Sequence, residues 1–452
     1  MGKEGDVLRP AGLLERYHIT RHFLRQDTCV TNAAHYTSPE GSTLDKPTMF
    51  NALRRVVEAH AALGVRLIDE ETRPTFVRLT HVNLDEIVLF CNNDNLAAVL
   101  EEQFLQPFDT ASNLPLWRIV VLQNRIVLFA WHHCIGDGLS GLAFQRALLA
   151  SLRQGSSDGA SSDSPIIRIS PTTTFVPPIE QVTSLKASWR KIFQEFYALV
   201  APVSWTPGAS AWTGNVVRKE ATFKNHVRLL EFSPEEVSKL LILCRPKQAT
   251  LTSLVYILAI SVLSTLISPE NGSAKTISSF IPINLRDVAG TSPNVFCDHV
   301  SALHSYTPIQ SSFSWADASE FASILRVQNV ESREEIGMLK YLFGRYSAYL
   351  EEKLGKKRQG GFELSNLGRF NAGESKTGDR WSIGKVVWAQ GDATTGAAIK
   401  LNVVGDALGG VAMSVTWGDG AIADNLAESF VSNFDDALRN LLTSHVHDTP
   451  SS

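Results

Sequence analysis

Six consecutive residues without a polar side chain, IVLFAW at 126–131, constrain this chain more than any other feature. A strand that is apolar on both faces belongs in the middle of a sheet covered on both sides. The preceding run, 117–122, is also strand-like, and only Gln123 and Asn124 separate it from the strand 125–131 that holds the hexapeptide, which predicts a hairpin. The apolar run ends abruptly in His132-His133-Cys134-Ile135-Gly136-Asp137-Gly138, and a helix over about 139–153, closed by Gly155, follows at once. Continued strand geometry would put His133 on the face of Trp131 and Phe129, with His132 on the other face.

A histidine at such a strand end suits proton transfer. Imidazole titrates near neutrality, so it can take a proton from an alcohol and return it to a leaving thiolate. The glycines flanking Asp137 permit a sharp turn and close approach of a ligand. Asp137 has two open roles: orienting the imidazole, or pairing with a cation to lock the turn, for which Arg286 in IPINLRDV is the candidate. The bland reading of His133 is a core histidine at an accidental spacing; its place at the end of a two-faced apolar strand favours function. His132 reads as packed or hydrogen-bonded beneath the site, with a substrate contact as the other reading.

The rest of the chain alternates strand and helix signals. A helix is expected over 48–63, with Pro47 at its start and Gly64 just after it, and another over 96–105. Residues 155–180 are rich in Ser, Gly and Pro and read as a linker. Helix is expected over 181–205. A second strand-and-helix series begins near 225, with a buried helix near 251–267, a long helical region over 314–354 and a final helix over 425–442. The fold class is therefore α/β, in two lobes: 1–180 with the histidine motif, a 181–215 crossover, and 216–452.

Composition narrows the function. With 42 basic and 46 acidic residues the net charge is −4, so a nucleic-acid partner is not expected. Five dispersed cysteines without a CxxC pair argue against a disulfide framework and a structural zinc site. No apolar leader is visible and the most apolar stretch, 254–267, is too short to span a bilayer, so a cytoplasmic chain without a transmembrane segment is expected. No G-x-S-x-G elbow supports a serine esterase.

The stretches LLERYHITRHFL, HHCIGDGLSG, FIPINLRDV and FELSNLGRF, in that order, resemble the fungal alcohol acetyltransferase family. That family sits within the coenzyme A-dependent acyltransferase superfamily, with chloramphenicol acetyltransferase, the plant BAHD enzymes, wax ester synthases and condensation domains. The resemblance implies two chloramphenicol-acetyltransferase-like lobes with an active-site tunnel between them. It also implies His133 as catalytic base, and Asp137 as a structural aspartate paired with Arg286, Gly138 completing the motif. The implied chemistry is O-acyl transfer from acetyl-CoA or another acyl-CoA to an alcohol, by a monomer with no permanently bound cofactor. The BAHD motif DFGWG is absent, so the plant subfamily is not expected. An amide-forming, condensation-type enzyme and a silent binding scaffold remain as alternatives.

Further candidates follow from the second half. Ser365 and Asn366 could face the tunnel and donate to an oxyanion, or simply end a strand. Lys356, Lys357 and Arg358 form a basic run that could hold coenzyme A phosphates, or a solvated face. The small-residue stretch 388–398 could line a substrate channel, or merely connect two strands.

Overall fold

The computed structural model describes residues 6–38, 41–155, 164–220, 222–267, 274–373 and 380–444. The apolar hexapeptide is the central strand of a five-stranded mixed sheet. Its order is Ser382–Gln390, Val30–Thr37, Ile126–Trp131, Trp117–Leu122 and Val88–Cys91. Successive side chains of the central strand go to opposite faces, as the pleat requires. Val127, Phe129 and Trp131 pack with Phe144 and Leu148 under the helices Lys46–Ala59 and Gly138–Gln154. Leu128 and Ala130 pack on the other side with Leu100 and Phe104 of the helix Leu96–Phe104, and with Val227 of the second sheet. The expected hairpin is present, and Gln123 and Asn124 both adopt positive φ, the tight-turn conformation whose twist matches paired strands.

The second sheet has seven strands. Six run in the order Ala211–Trp212, Thr276–Asn284, Phe362–Arg369, Ile399–Gly405, Val411–Gly418 and Asn225–Phe232, and Val300–Pro308 also pairs with Thr276–Asn284. Its core is closed by Pro234–Cys244, Leu251–Ile267, Trp315–Glu331 and Asp424–Ser444. The apolar stretch near 251–267 is thus a buried core helix. Among the described residues no single helix is long and apolar enough to cross a membrane; one helix pair, Pro234–Lys247 with Leu251–Ile267, passes by length and composition but is bent by 93°.

Three local expectations change. The helix over 48–63 begins at Lys46, capped by Asp45 accepting from the Thr48 N–H, and gives way to a 3₁₀ turn at Ala61–Gly64. In 181–205 the main helix is only Trp189–Val200. The long helix over 314–354 is broken into pieces, and one break falls where Phe343 and Gly344 both take left-handed φ, which no helix can continue through. One strand also crosses the division expected between 1–180 and 216–452: Ser382–Gln390 leaves the second half and pairs along Val30–Thr37.

Candidate active site

The motif does not continue the strand. Pairing stops at Trp131, and His133–Ile135 form a 3₁₀ turn, so the alternation that predicted the facing of His133 no longer applies. The Trp131 indole N–H donates to the Gly136 carbonyl at 2.8 Å and fastens this turn from below. The Asp137 carboxylate accepts the Ser140 N–H at 3.0 Å and caps the helix that follows. Gly138 is pressed against the other half: an added Cβ would lie 2.6 Å from Leu367 and 3.1 Å from Trp388.

Asp137 takes the second of its two roles. Arg286 grips it with two nitrogens, Nε to Oδ2 at 3.1 Å and Nη2 to Oδ1 at 2.5 Å, and both side chains are buried. Burial alone would raise the Asp137 carboxyl; the guanidinium overcomes this and holds it below its ordinary value. Arg286 also donates to the carbonyls of Ser292 and Val295, and the Asp137 N–H donates to the Cys297 carbonyl. The pair therefore fixes the segment 292–297, which leads directly to Asp298.

Asp298 is the carboxylate that faces the histidine. It is fully buried, with Oδ1 3.5 Å from His133 Nδ1 and Oδ2 3.5 Å from His18 Nε2. The two imidazoles are stacked, with centroids 3.7 Å apart and planes 4° from parallel. His133 keeps 17% of its side chain exposed and lines the cavity. Burial would depress its pKa, but the Asp298 carboxylate outweighs burial and the net direction is upward. His18, wholly buried, is driven well below the ordinary imidazole range, first by burial and then by His133. These three residues are close enough to suggest a metal, but parallel rings direct their in-plane lone pairs in parallel. A single ion bound to both would lie well out of at least one ring plane, so the arrangement suits a proton better than a metal.

His132 is packed and hydrogen-bonded within the turn. Its Nδ1 accepts the Cys134 N–H at 3.1 Å, its ring lies 4.5 Å from that of His22, and burial drives its pKa well down. It does not line the cavity.

The cavity has a volume of about 660 Å³ and takes its walls from both halves, including His133, Leu139, Phe280, Ser301, Ser365 and Trp388. Ser365 and Asn366 both reach it. The Ser365 hydroxyl oxygen accepts the Trp388 indole N–H at 3.3 Å, which leaves its own proton free to donate. Asn366 is tied elsewhere, donating to Thr252 and accepting from the Gly368 N–H. From the small-residue stretch, Trp388, Gln390, Gly391, Ala393, Thr395 and Gly396 form part of the wall. The basic run disperses. Lys356 pairs with Glu352, and Lys357 donates to the carbonyls of Gly208 and Ala209. Arg358 is buried, bound to the Thr394 and Gly396 carbonyls and 3.6 Å from Asp392. None of the three lines the cavity, and Arg358 serves the loop rather than a solvent-facing phosphate.

Sequence reasoning missed Asp298 and His18. A signal for His18 existed: Glu15, His18 and His22 recur at helical spacing on the buried side of Leu13–Phe23, where apolar residues would be ordinary. Asp298 had no local signal, since its neighbour across the site is brought in by the fold.

A histidine turn at the end of a buried strand, opening on a cavity walled by two helix-covered sheets, defines the two-lobed acyltransferase class. The same fold is found in the trichothecene 15-O-acetyltransferase TRI3 of Fusarium sporotrichioides, with TM-score 0.70, 14% identity and coverage of 95% of this chain and 94% of that one. It is found too in the condensation domain of the Monacolin K polyketide synthase MokA, with TM-score 0.62, 12% identity and coverage of 97% and 98%. The profile of the alcohol acetyltransferase family matches residues 90–438, and the chain belongs to that family. Two relatives extend the match over nearly the whole length, each 24% identical. One is described as the probable alcohol acetyltransferase crmB of Aspergillus fumigatus, covering 91% of this chain and 95% of that protein. The other is the probable alcohol acetyltransferase FCK4 of Fusarium pseudograminearum, covering 94% of each. The protein is an acyltransferase, and the family implies an acyl-CoA co-substrate and an alcohol.

Proposed function

We propose that the chain transfers an acetyl group from acetyl-CoA to the hydroxyl of a small or hydrophobic alcohol or a secondary metabolite, in one direct step with His133 as general base. The observation that carries this reading is the burial of Asp298 against His133 Nδ1 at the wall of a cavity shared by both halves. With Nδ1 beside the carboxylate at 3.5 Å, Nε2 is the nitrogen left to accept a proton. It takes the alcohol proton as the oxygen attacks the thioester carbon. The tetrahedral intermediate then collapses, the carbon–sulfur bond breaks, and the imidazolium returns the proton to the thiolate. Ser365 donates its free hydroxyl proton to the oxyanion, and Asp137 with Arg286 holds the segment that carries Asp298.

Direct transfer fits the thiols present. Cys134 is buried in the core with its pKa pushed well up by burial, and no cysteine lines the cavity among the described residues. The test is incubation with acetyl-CoA and a panel of alcohols, read by thiol release and product mass. His133→Ala should retain its fold and lose about 10²–10⁴-fold or more of the transfer rate. Near-native turnover in that variant would refute the base, and an acetylated protein formed with acetyl-CoA alone would refute the direct step.

A further inference from the structure

The helix Trp189–Val200 is oriented the wrong way round for a surface helix. Trp189, Phe193, Phe196 and Tyr197 recur at the spacing of one helical face. That face is turned to solvent, with exposures of 76%, 69%, 61% and 50%, and Trp205 just beyond it is 69% exposed. The charged face is turned inward. Lys191 reaches Glu335 at 2.5 Å and Glu195 at 2.9 Å, and Ser188 donates to Glu334 at 2.9 Å. Such a stripe of large aromatic rings left in water is unfavourable unless something covers it.

Two further observations identify the cover. Between residues 186 and 206 the sequence carries three cations, Lys186, Arg190 and Lys191, and one carboxylate, Glu195, which Lys191 neutralises. Arg190 is exposed on the helix beside the aromatic face, and Lys186, three residues before the helix, is exposed as well. Aromatic rings edged by basic residues match the boundary between acyl chains and anionic headgroups. The inner side of this helix also borders the cavity, because Glu195 lies in the cavity wall together with Glu335, Leu339 and Phe280. We propose that the aromatic face of Trp189–Val200 rests on an anionic phospholipid membrane, and that the cavity takes its acceptor, a lipophilic alcohol, from that surface. The choice of acceptor rests on the acyl-transfer reading above; the membrane contact does not.

The experiment is flotation of the full chain with vesicles of phosphatidylcholine alone and of phosphatidylcholine with phosphatidylserine. It compares wild type with the double variant Phe193→Ser, Phe196→Ser. Neither phenylalanine belongs to a core cluster, so melting temperature should hold. Wild type should float with the anionic vesicles and be released by salt, and the variant's bound fraction should fall by about tenfold or more. Acetyl transfer to a water-soluble alcohol, assayed on both proteins, should be equal in the two. Wild type that transfers acetyl groups but does not float with anionic vesicles overturns the surface alone. Absent transfer with vesicle binding intact overturns the acyl-transfer reading instead. Wild type that ignores vesicles, a variant that still binds them, or a wild-type dimer that the variant dissolves in place of membrane binding would each overturn the proposal.

Discussion

The imidazoles of His18 and His133 are stacked 3.7 Å apart and nearly parallel, and each has a nitrogen 3.5 Å from a different oxygen of Asp298. His133 is therefore bounded on two sides, by a carboxylate at its edge and a second ring on its face. His18 stays neutral, so it supports His133 without competing for the negative charge.

The Asp298→Asn variant should separate orientation from basicity. Asp298 is what lifts His133 above the value burial would impose. A base must be neutral to act, so wild-type activity should rise with pH through that raised value. Without the carboxylate the acid limb of kcat/KM should move to lower pH, while kcat falls about 10²-fold or more. A limb that stays in place would show that Asp298 does not tune the base.

Ser365→Ala should cost about 2.7–4 kcal/mol of transition-state stabilisation, or 10²–10³-fold in kcat. KM should change little, because the hydroxyl is needed only once the oxyanion forms. A rise in KM at constant kcat would place Ser365 in substrate binding instead.

The Asp137–Arg286 pair predicts a split between stability and activity. Asp137→Asn leaves a buried guanidinium uncompensated and should destabilise by about 3–5 kcal/mol, visible as a lower melting temperature. Replacing both partners with apolar residues should recover much of the melting temperature. Activity should not return, because the segment 292–297 is no longer tied in place beneath Asp298. Recovery of both would reduce the pair to a packing role.

Acid should unfold the protein early. His22 accepts the Phe108 N–H at Nε2 and His132 accepts the Cys134 N–H at Nδ1, so both must stay unprotonated there. Burial lowers His22 to about 4 and His132 well below its ordinary value. In the unfolded chain these rings gain protons near pH 6.5. Between that pH and about 4 the unfolded state binds more protons, so stability is lost as pH falls across this window. His22 alone contributes about 3 kcal/mol at 1.36 kcal/mol per unit. A melting temperature flat from pH 6.5 to 4.5 would contradict this.

The sequence made the central strand, the hairpin, the histidine turn and the Asp137–Arg286 pairing legible, because each rests on a local pattern or on two motifs read together. It did not reveal Asp298, whose role exists only after residues 292–297 have been folded back by Arg286. It misjudged Arg358, since a run of three charges gives no sign that the third turns inward to the 392–396 loop. It also read 181–205 as helix without seeing that the aromatic side faces outward, because periodicity fixes which residues share a face and not which way that face points.

The strand Ser382–Gln390 has a consequence for biosynthesis. Val30–Thr37 leaves the ribosome some 350 residues before the partner that covers it. Throughout that interval it is an open edge of a largely apolar sheet, free to pair with another nascent chain. Separately expressed halves should for the same reason aggregate, and the sheet that presents His133 should close only when synthesis is nearly complete. A chain truncated before residue 382 would keep every residue of the histidine motif and still lack a finished active site.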